Sequence, residues 1–329
     1  MGETGARSDR FQILSIDGGG IKGIYAAAVL ASIEEDLGGP IQKHFDLIAG
    51  TSTGGIITLG LGLGLRSREL LDFYVEKGPK IFRNRARSRG VLHWFHRKYP
   101  QQPLADALQE AFGESLLGES STRLVVPSYN LDEEDVHIFK TPHHQRYSTD
   151  WKVPAWQVAL ATSAAPTYFE SCRHIDDMRL IDGGVWANNP SMVALTDATQ
   201  RLGVPMESVR VLSIGTSSEL NHRPDRLTSG GKIGWARSAA AIDVILRAQS
   251  VAAWKQTVCF LTNGNSLRID PTVPAGLFSL DGVASAPELI AKARYASRQQ
   301  IPDVRSIFAD HLAEPYIPVY GPNMKDDTK

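Results

Sequence analysis

The sequence is poor in cysteine, nearly balanced in charge and without a long apolar run. Its 329 residues include two cysteines, Cys172 and Cys259, too few for a disulfide framework and typical of a reducing compartment. The 35 lysines and arginines and 36 aspartates and glutamates give a net charge of −1, so DNA is not an expected partner. The longest apolar stretch, from Gly54 to Leu65, has 12 residues, whereas a membrane span needs about 20. Because the N-terminal segment is polar and unlike a signal peptide, we expect a cytoplasmic protein.

Short apolar strands alternate with helical segments along most of the chain. This alternation predicts an α/β fold of three layers, with a mostly parallel central sheet and helices on both faces. No break in composition resembles a linker, so we predict one domain over residues 11–316. Its core should extend to about residue 216, followed by a helical C-terminal part over residues 217–316. Residues 1–10 and 317–329 are expected to be flexible.

A serine lies between two glycines at the end of the second predicted strand. The residues are Gly50, Ser52 and Gly54, and an apolar helix is predicted to begin at about Gly54. A strand that turns this sharply into a helix leaves no room for side chains two positions from the serine, and it exposes the hydroxyl. The pattern therefore predicts a nucleophilic serine, whereas an isolated G-x-S-x-G would be compatible with an ordinary turn.

A glycine-rich loop follows the first predicted strand, in the segment "DGGGIKG" from Asp17 to Gly23. The spacing also fits a dinucleotide-binding loop. That fold needs an acidic residue at the end of the next strand, whereas Asp46 stands at the beginning of that strand. A P-loop is excluded because the sequence contains no G-x-x-x-x-G-K-[ST] pattern. The alternative is an oxyanion hole, because glycine N–H groups at a helix start can stabilise a developing negative charge. Lys22 is expected in the first helical turn, where it orients the loop or adds positive charge.

The third motif is "DGGVWANNP", in which Asp182 ends a predicted strand and is followed by Gly183 and Gly184. In a parallel sheet this carboxylate would lie on the same edge as Gly18 and Ser52. Taken alone, the motif is also compatible with a simple turn.

The three motifs, together with "ATSAAPTYF" and in this order, resemble the patatin-like phospholipase family over about residues 11–216. The resemblance implies a Ser-Asp dyad in which Ser52 is the nucleophile and Asp182 is the base, with no cofactor and no metal. It also implies that the loop of Gly18, Gly19 and Gly20 forms the oxyanion hole. The remaining motif positions that support this assignment are Lys22, Gly23, Gly50, Gly54, Gly183 and Gly184.

The same resemblance implies a substrate and a location. Membrane glycerophospholipids would be the substrate, and the protein would be peripheral at the inner membrane face when active. Some bacterial members of the family are anti-phage effectors activated by cyclic oligonucleotides, and this chain is similar to them in general architecture. A constitutive non-specific lipid acyl hydrolase and a catalytically idle binding or storage protein are the alternatives, and a homo-oligomer stays open.

The histidines offer competing assignments. A Ser-Asp-His triad in this chain order would need His222 or His311, and neither lies in a recognisable loop at a strand end. The histidine pairs lack a third ligand at metal spacing, so we expect surface positions for them. These pairs are His93 with His96 and His143 with His144.

From Lys77 to Ala105 the sequence contains no acidic residue. We predict that residues 80–99 lie on the surface near the active site, where they contact either anionic lipid or an anionic activator. The alternative is a solvated loop. The basic residues of the stretch are Lys77, Lys80, Arg83, Arg85, Arg87, Arg89, Arg97 and Lys98, and the aromatic ones are Trp94, Phe95 and Tyr99.

Overall fold

The computed structural model describes residues 10–82, 99–220, 240–274 and 286–321. The strands are β1 (Phe11–Ile16), β2 (Leu47–Gly50), β3 (Arg123–Asn130), β4 (Asp135–Lys140), β5 (Leu180–Asp182), β6 (Val209–Ile214), β7 (Ser218–Leu220), β8 (Ser266–Ile269) and β9 (Thr272–Pro274). The helices are α1 (Gly23–Leu37), α2 (Thr53–Gly62), α3 (Ser67–Ile81), α4 (Gln102–Phe112), α5 (Ala155–Thr162), α6 (Gly184–Ala187), α7 (Ser191–Gln200), α8 (Ala240–Phe260) and α9 (Ala286–Phe308).

The central sheet has seven strands, in the order β4-β3-β2-β1-β6-β8, with β5 paired to β3 outside this path. The pairs from β8 through β6, β1 and β2 to β3 are parallel, whereas β4 and β5 run antiparallel to β3. Parallel strands bring their C-terminal ends to one edge, and the loops after β1 and β2 meet there.

Apolar residues cover the sheet on both faces. Leu14 and Ile16 of β1 pack into a large cluster with residues of α1, α2 and α9, and Ile13 packs on the other side with residues of α7. Because side chains alternate along a strand, the strand is buried on both faces. The prediction of a three-layer α/β fold is confirmed.

Two details of the predicted organisation were wrong. The segment 177–182 was expected to be a strand of the parallel sheet, but only β5 forms there, and it is antiparallel. The part after residue 216 was expected to be helical, but β8 lies there and extends the central sheet beyond β6. The C-terminal part therefore completes the sheet core as well as adding α8 and α9.

Among the described helices, none combines the length and the apolar composition that a membrane span requires.

Candidate active site

Ser52 lies in the turn between β2 and α2. Its backbone angles, φ 56° and ψ −122°, are outside the regions that a non-glycine residue normally occupies. Such a conformation costs on the order of 1–3 kcal/mol and persists where the surrounding structure enforces it. The Ser52 N–H donates to Thr162 Oγ1 at 3.0 Å, and Thr51 Oγ1 donates to the Ala187 carbonyl at 2.6 Å. These bonds fix the strained turn and the serine in it.

The two flanking glycines are required by close backbone approach. A Cβ atom on Gly50 would overlap the carbonyl of Gly54, and one on Gly54 would overlap the carbonyls of Ile16 and Asp17 at the end of β1. The start of α2 can therefore pass directly beside β1. The sharp strand-to-helix turn predicted around Ser52 is present, and α2 begins at Thr53.

Asp182 reaches Ser52 because of the direction of β5. Along β3, β2 pairs with residues 123–125 and β5 pairs with residues 128–130, so the two strands approach each other end to end. Ser52 follows the C-terminal end of β2, and Asp182 is the last residue of β5. The antiparallel direction thus brings the end of β5, and with it the Asp182 carboxylate, to the serine at the end of β2.

The Asp182 carboxyl group is buried and lines the same cavity as Ser52. Burial raises its pKa from 3.8 to about 6, although the Ser52 hydroxyl and the Gly184 N–H both favour the charged form. The Gly184 N–H donates to Asp182 Oδ1 at 2.7 Å. A carboxylate with a raised pKa is a stronger base than a solvated one, and the bond to Gly184 holds its Oδ1 in place.

The glycine loop lies beside Ser52 after β1. The Gly18 N–H donates to the Asn188 carbonyl at 2.9 Å, so this N–H is engaged within the protein. Gly19 and Gly20 line the same cavity as Ser52 and Asp182. The remaining motif residues surround them. Lys22 ends a 3₁₀ turn, Gly23 begins α1 against Thr53, and Gly183 packs against the Pro127 carbonyl.

An ion pair that the sequence analysis did not find holds the start of this loop. Arg268 on β8 donates to both oxygens of Asp17, at 3.1 and 2.7 Å, and also to Asp270 at 2.8 Å. Burial lowers the pKa of Arg268, but the Asp17 and Asp270 carboxylates outweigh this effect and raise it above its ordinary value. Arg268 therefore stays charged and fixes the residue that precedes Gly18.

Two asparagines of the third motif were also missed as site residues. Asn189 Nδ2 donates to Asp17 Oδ1 at 2.9 Å, and Asn188 accepts the Gly18 N–H through its carbonyl. The "NNP" letters in "DGGVWANNP" were the available signal, because only the short helix α6 separates the two asparagines from Asp182 and Gly183.

An apolar cavity of about 310 Å³ opens beside the dyad. Ser52 and Asp182 lie on its wall, and the rest of the lining is mainly aliphatic and aromatic. An apolar cavity with a few polar groups at one point suits a ligand with a hydrocarbon chain and one polar linkage. The larger apolar residues that line it are Ile56, Phe73, Ile81, Phe82, Leu104, Phe169, Val185, Ile245 and Leu246.

Most of the basic stretch lies outside the described residues, including Arg83, Arg85, Arg87, Arg89, Arg97, Lys98, Trp94 and Phe95. Tyr99 was expected among the surface aromatics, but only 3% of it is exposed. Its ring lies 5.6 Å from that of Phe82, which lines the cavity. The positive charge of Lys77 is paired with Glu110 on the neighbouring α4, at 2.6 Å.

The described histidines lie away from the dyad. His311 Nε2 bonds to Asp46 Oδ2 at 2.8 Å, and Asp46 precedes β2 at the end opposite Ser52. His143 was expected at the surface but is buried, with Nε2 2.7 Å from Asp197 Oδ2. His222, His93 and His96 lie outside the described residues. Within the described ranges, no three potential ligands cluster as a metal site would require.

Comparison with known proteins supports one family. Residues 14–195 match the patatin-like phospholipase family. A protein of Pseudomonas aeruginosa named cGAMP-activated phospholipase is 39% identical over 63% of this chain and 62% of its own length. A protein of the same name from Vibrio cholerae is 31% identical over 90% of this chain and 94% of its own length. The crystal structure of VipD from Legionella pneumophila aligns with a TM-score of 0.49 and 13% identity, over 91% of this chain and 67% of that one.

The family match spans more than half of the chain, and it includes the glycine loop, the serine turn and Asp182. The geometry of these three motifs and the match therefore lead to the same conclusion: the chain belongs to the patatin-like phospholipase family.

Proposed function

We propose that this protein is a serine hydrolase that cleaves the carboxylic esters of membrane glycerophospholipids through Ser52 and Asp182. The observation that carries the proposal is a strained, fixed serine that lines one apolar cavity together with a buried carboxyl group of raised pKa. A catalytically idle binding protein would have no need of a strained serine, because backbone strain of this kind is concentrated at functional sites.

Acyl transfer proceeds in two stages at this site. Ser52 Oγ attacks the ester carbonyl carbon while Asp182 accepts the hydroxyl proton. The negative charge that forms on the carbonyl oxygen is stabilised by the N–H groups of Gly19 and Gly20, because that of Gly18 is engaged with Asn188. The intermediate then expels the lysophospholipid alcohol, which takes the proton from Asp182. Water attacks the acyl-enzyme while Asp182 accepts its proton, and that proton passes to Ser52 Oγ as the bond to the acyl group breaks and the fatty acid leaves.

We further propose that a cyclic oligonucleotide activates the enzyme, and that the active protein is peripheral at the inner face of the cell membrane. The support is the name shared by the bacterial relatives, which are called cGAMP-activated phospholipases. Constitutive hydrolysis is the competing possibility. The basic residues predicted to contact an anionic partner stay part of this proposal, since they fall between Phe82 and Tyr99, which both lie beside the cavity.

The test is mass spectrometry of glycerophospholipid vesicles incubated with the full chain and a panel of cyclic nucleotides. We expect release of fatty acid and lysophospholipid, strongest with one nucleotide, and no release by Ser52→Ala. The joint change of Arg83, Arg85, Arg87 and Arg89 to Gln should remove the response to the nucleotide while hydrolysis of a soluble short-chain ester by unstimulated enzyme is unchanged. Equal release with and without every nucleotide would mean a constitutive enzyme. Release that survives Ser52→Ala would reject the proposed mechanism.

The raised pKa of Asp182 predicts an unusual acid limb in the pH profile. The carboxyl group acts as a base only when it is ionised, so kcat/KM for a soluble ester should rise through about pH 6. A solvent-exposed aspartate would give a limb near pH 4. The measurement is kcat/KM between pH 4 and 9, with the thermal midpoint recorded at each pH as a control for folding. A limb at pH 4 in a folded protein would mean that Asp182 is not the base that limits the reaction.

A further inference from the structure

The helix α8 reaches the active site from outside the segment that matches the family. Ile245 and Leu246 line the cavity, and one turn later Gln249 and Ser250 lie against the loops that hold the dyad. Ser250 is 6% exposed and Gln249 is half-buried. The family match ends at residue 195, so these residues belong to the part of the chain that the family pattern does not describe.

The Ser250 hydroxyl connects the glycine loop with the turn that follows Asp182. It accepts a hydrogen bond from Asn188 Nδ2 at 2.8 Å and lies close enough to the Asp17 carboxylate to favour its charged form. Asp17 directly precedes Gly18, and the Asn188 carbonyl accepts the Gly18 N–H. One hydroxyl thus contacts both chain segments beside the proposed oxyanion donors.

Gln249 holds the same turn from its backbone side. Its Oε1 accepts the N–H of Asn189 at 2.9 Å, and Asn189 Nδ2 donates to Asp17 Oδ1. Adjacent residues of α8 therefore hold adjacent asparagines, and both asparagines contact the start of the glycine loop.

We propose that Ser250 and Gln249 are positioning residues of the acyl-transfer site, which set the place of the glycine loop relative to Ser52. The proposal rests on the proposed function of the dyad and adds a role for α8. Ser250 and Gln249 contact Asn188, Asn189 and Asp17, and they act on the dyad through these three neighbours. A loop displaced by a fraction of an ångström still binds substrate but stabilises the transition state poorly, so the loss is expected in kcat.

The test compares Ser250→Ala and Gln249→Ala with wild type on a soluble ester, in the presence of the cyclic nucleotide that gives the highest wild-type rate. We expect kcat to fall about 10- to 100-fold for Ser250→Ala, with KM changed less than about threefold. Labelling of Ser52 by a fluorophosphonate should slow in parallel, because its phosphoryl oxygen needs the same donors. Gln249→Ala should lose activity in the same way, and Gln249→Glu should restore most of it because an oxygen acceptor is kept.

A matched control lies on the same helix. Thr257 is fully buried and its hydroxyl donates to the Ala253 carbonyl within α8, away from both loops. Thr257→Ala should lower the thermal midpoint without a selective loss of kcat. If Ser250→Ala and both Gln249 variants matched Thr257→Ala in kcat, the positioning role would be rejected.

Failure of the positioning role and failure of the dyad give different results. Full activity of Ser250→Ala together with an inactive Ser52→Ala rejects only the role of α8. Activity that survives Ser52→Ala rejects the dyad itself. If Ser250→Ala does not fold, the comparison of Gln249→Ala with Gln249→Glu decides, because Gln249 is half-buried and tolerates a charge better.

Discussion

Ser52→Ala and Asp182→Asn should each lower turnover of a phospholipid or a soluble ester by about 10⁴-fold or more. Residues that act as one unit are strongly non-additive, so the double variant should be no slower than either single one. The Ser52 hydroxyl favours the charged form of Asp182, and the proposed mechanism needs both groups, so removing either side chain removes the activated nucleophile. The measurement is kcat and kcat/KM of the three variants, with fluorophosphonate labelling to report the reactivity of Ser52.

We expect the loss of activity in Asp182→Asn to occur without loss of folding. Asp182 has a pKa of about 6 in the folded protein and an ordinary value near 3.8 in the unfolded chain. Ionisation of this group therefore weakens the fold as the pH rises from about 4 to about 6, and the deficit persists above pH 6. Asp182→Asn removes that charge, so its thermal midpoint at pH 8 should equal or exceed that of wild type.

The histidines provide the contrasting variant. His311 bonds to Asp46 at the opposite end of β2 from Ser52, so His311→Asn should retain activity per folded molecule even if the fold is weakened. A loss of about a thousandfold in a folded His311→Asn protein would require a triad. Turnover above about one per cent of wild type by Asp182→Asn would mean that another group accepts the proton.

The parts of the site that were predictable from sequence are those fixed by local sterics. Gly50 is needed because α2 begins directly against the end of β2, and Gly54 is needed because α2 passes directly beside the end of β1. These two needs leave a short pattern around Ser52. The order of elements likewise follows from alternating apolar segments, which is why the three-layer fold was predicted. The role of Asp182 came from resemblance to a family, because an Asp-Gly-Gly turn has no specific pattern of its own.

The parts that were not predictable depend on pairing between distant residues. Arg268 lies 251 residues from Asp17, and nothing around either residue distinguishes their pair from other pairings of opposite charge. His143 likewise gives no local sign that Asp197, 54 residues away, compensates its burial. The direction of β5 was missed because a strand of three residues has too few side chains to show which neighbour it pairs with.

Gly19→Ala should lower kcat by about 10²- to 10³-fold, the second-largest effect that we expect. A Cβ atom at this position would overlap the Thr216 side chain, whose hydroxyl donates to the Gly18 carbonyl at 3.0 Å. The added methyl group therefore pushes the loop away from β6 and moves the N–H groups of Gly19 and Gly20 out of line with the oxyanion. Loss of one oxyanion donor costs about 3–4 kcal/mol of transition-state stabilisation.

Gly19 is a better position for this test than Gly20. The φ angle of Gly19 is 174°, outside the left-handed region. Gly20 has a φ of 59°, in the left-handed region, so an alanine there would also destabilise the loop by about 1–2 kcal/mol. The overlap of a Gly19 Cβ atom with Thr216 is then the effect to be tested at this position.

A second substitution tests that assignment. Thr216→Gly removes the atoms that the new methyl group would overlap, so Gly19→Ala combined with Thr216→Gly should recover part of the kcat lost by Gly19→Ala alone. Gly39→Ala is the neutral control, because a Cβ atom there has no heavy atom within 4 Å. If Gly19→Ala kept kcat within threefold of wild type, the oxyanion donors would lie elsewhere. If its loss were not eased by Thr216→Gly, the methyl group would be acting by blocking the approach of the ester carbonyl to the loop.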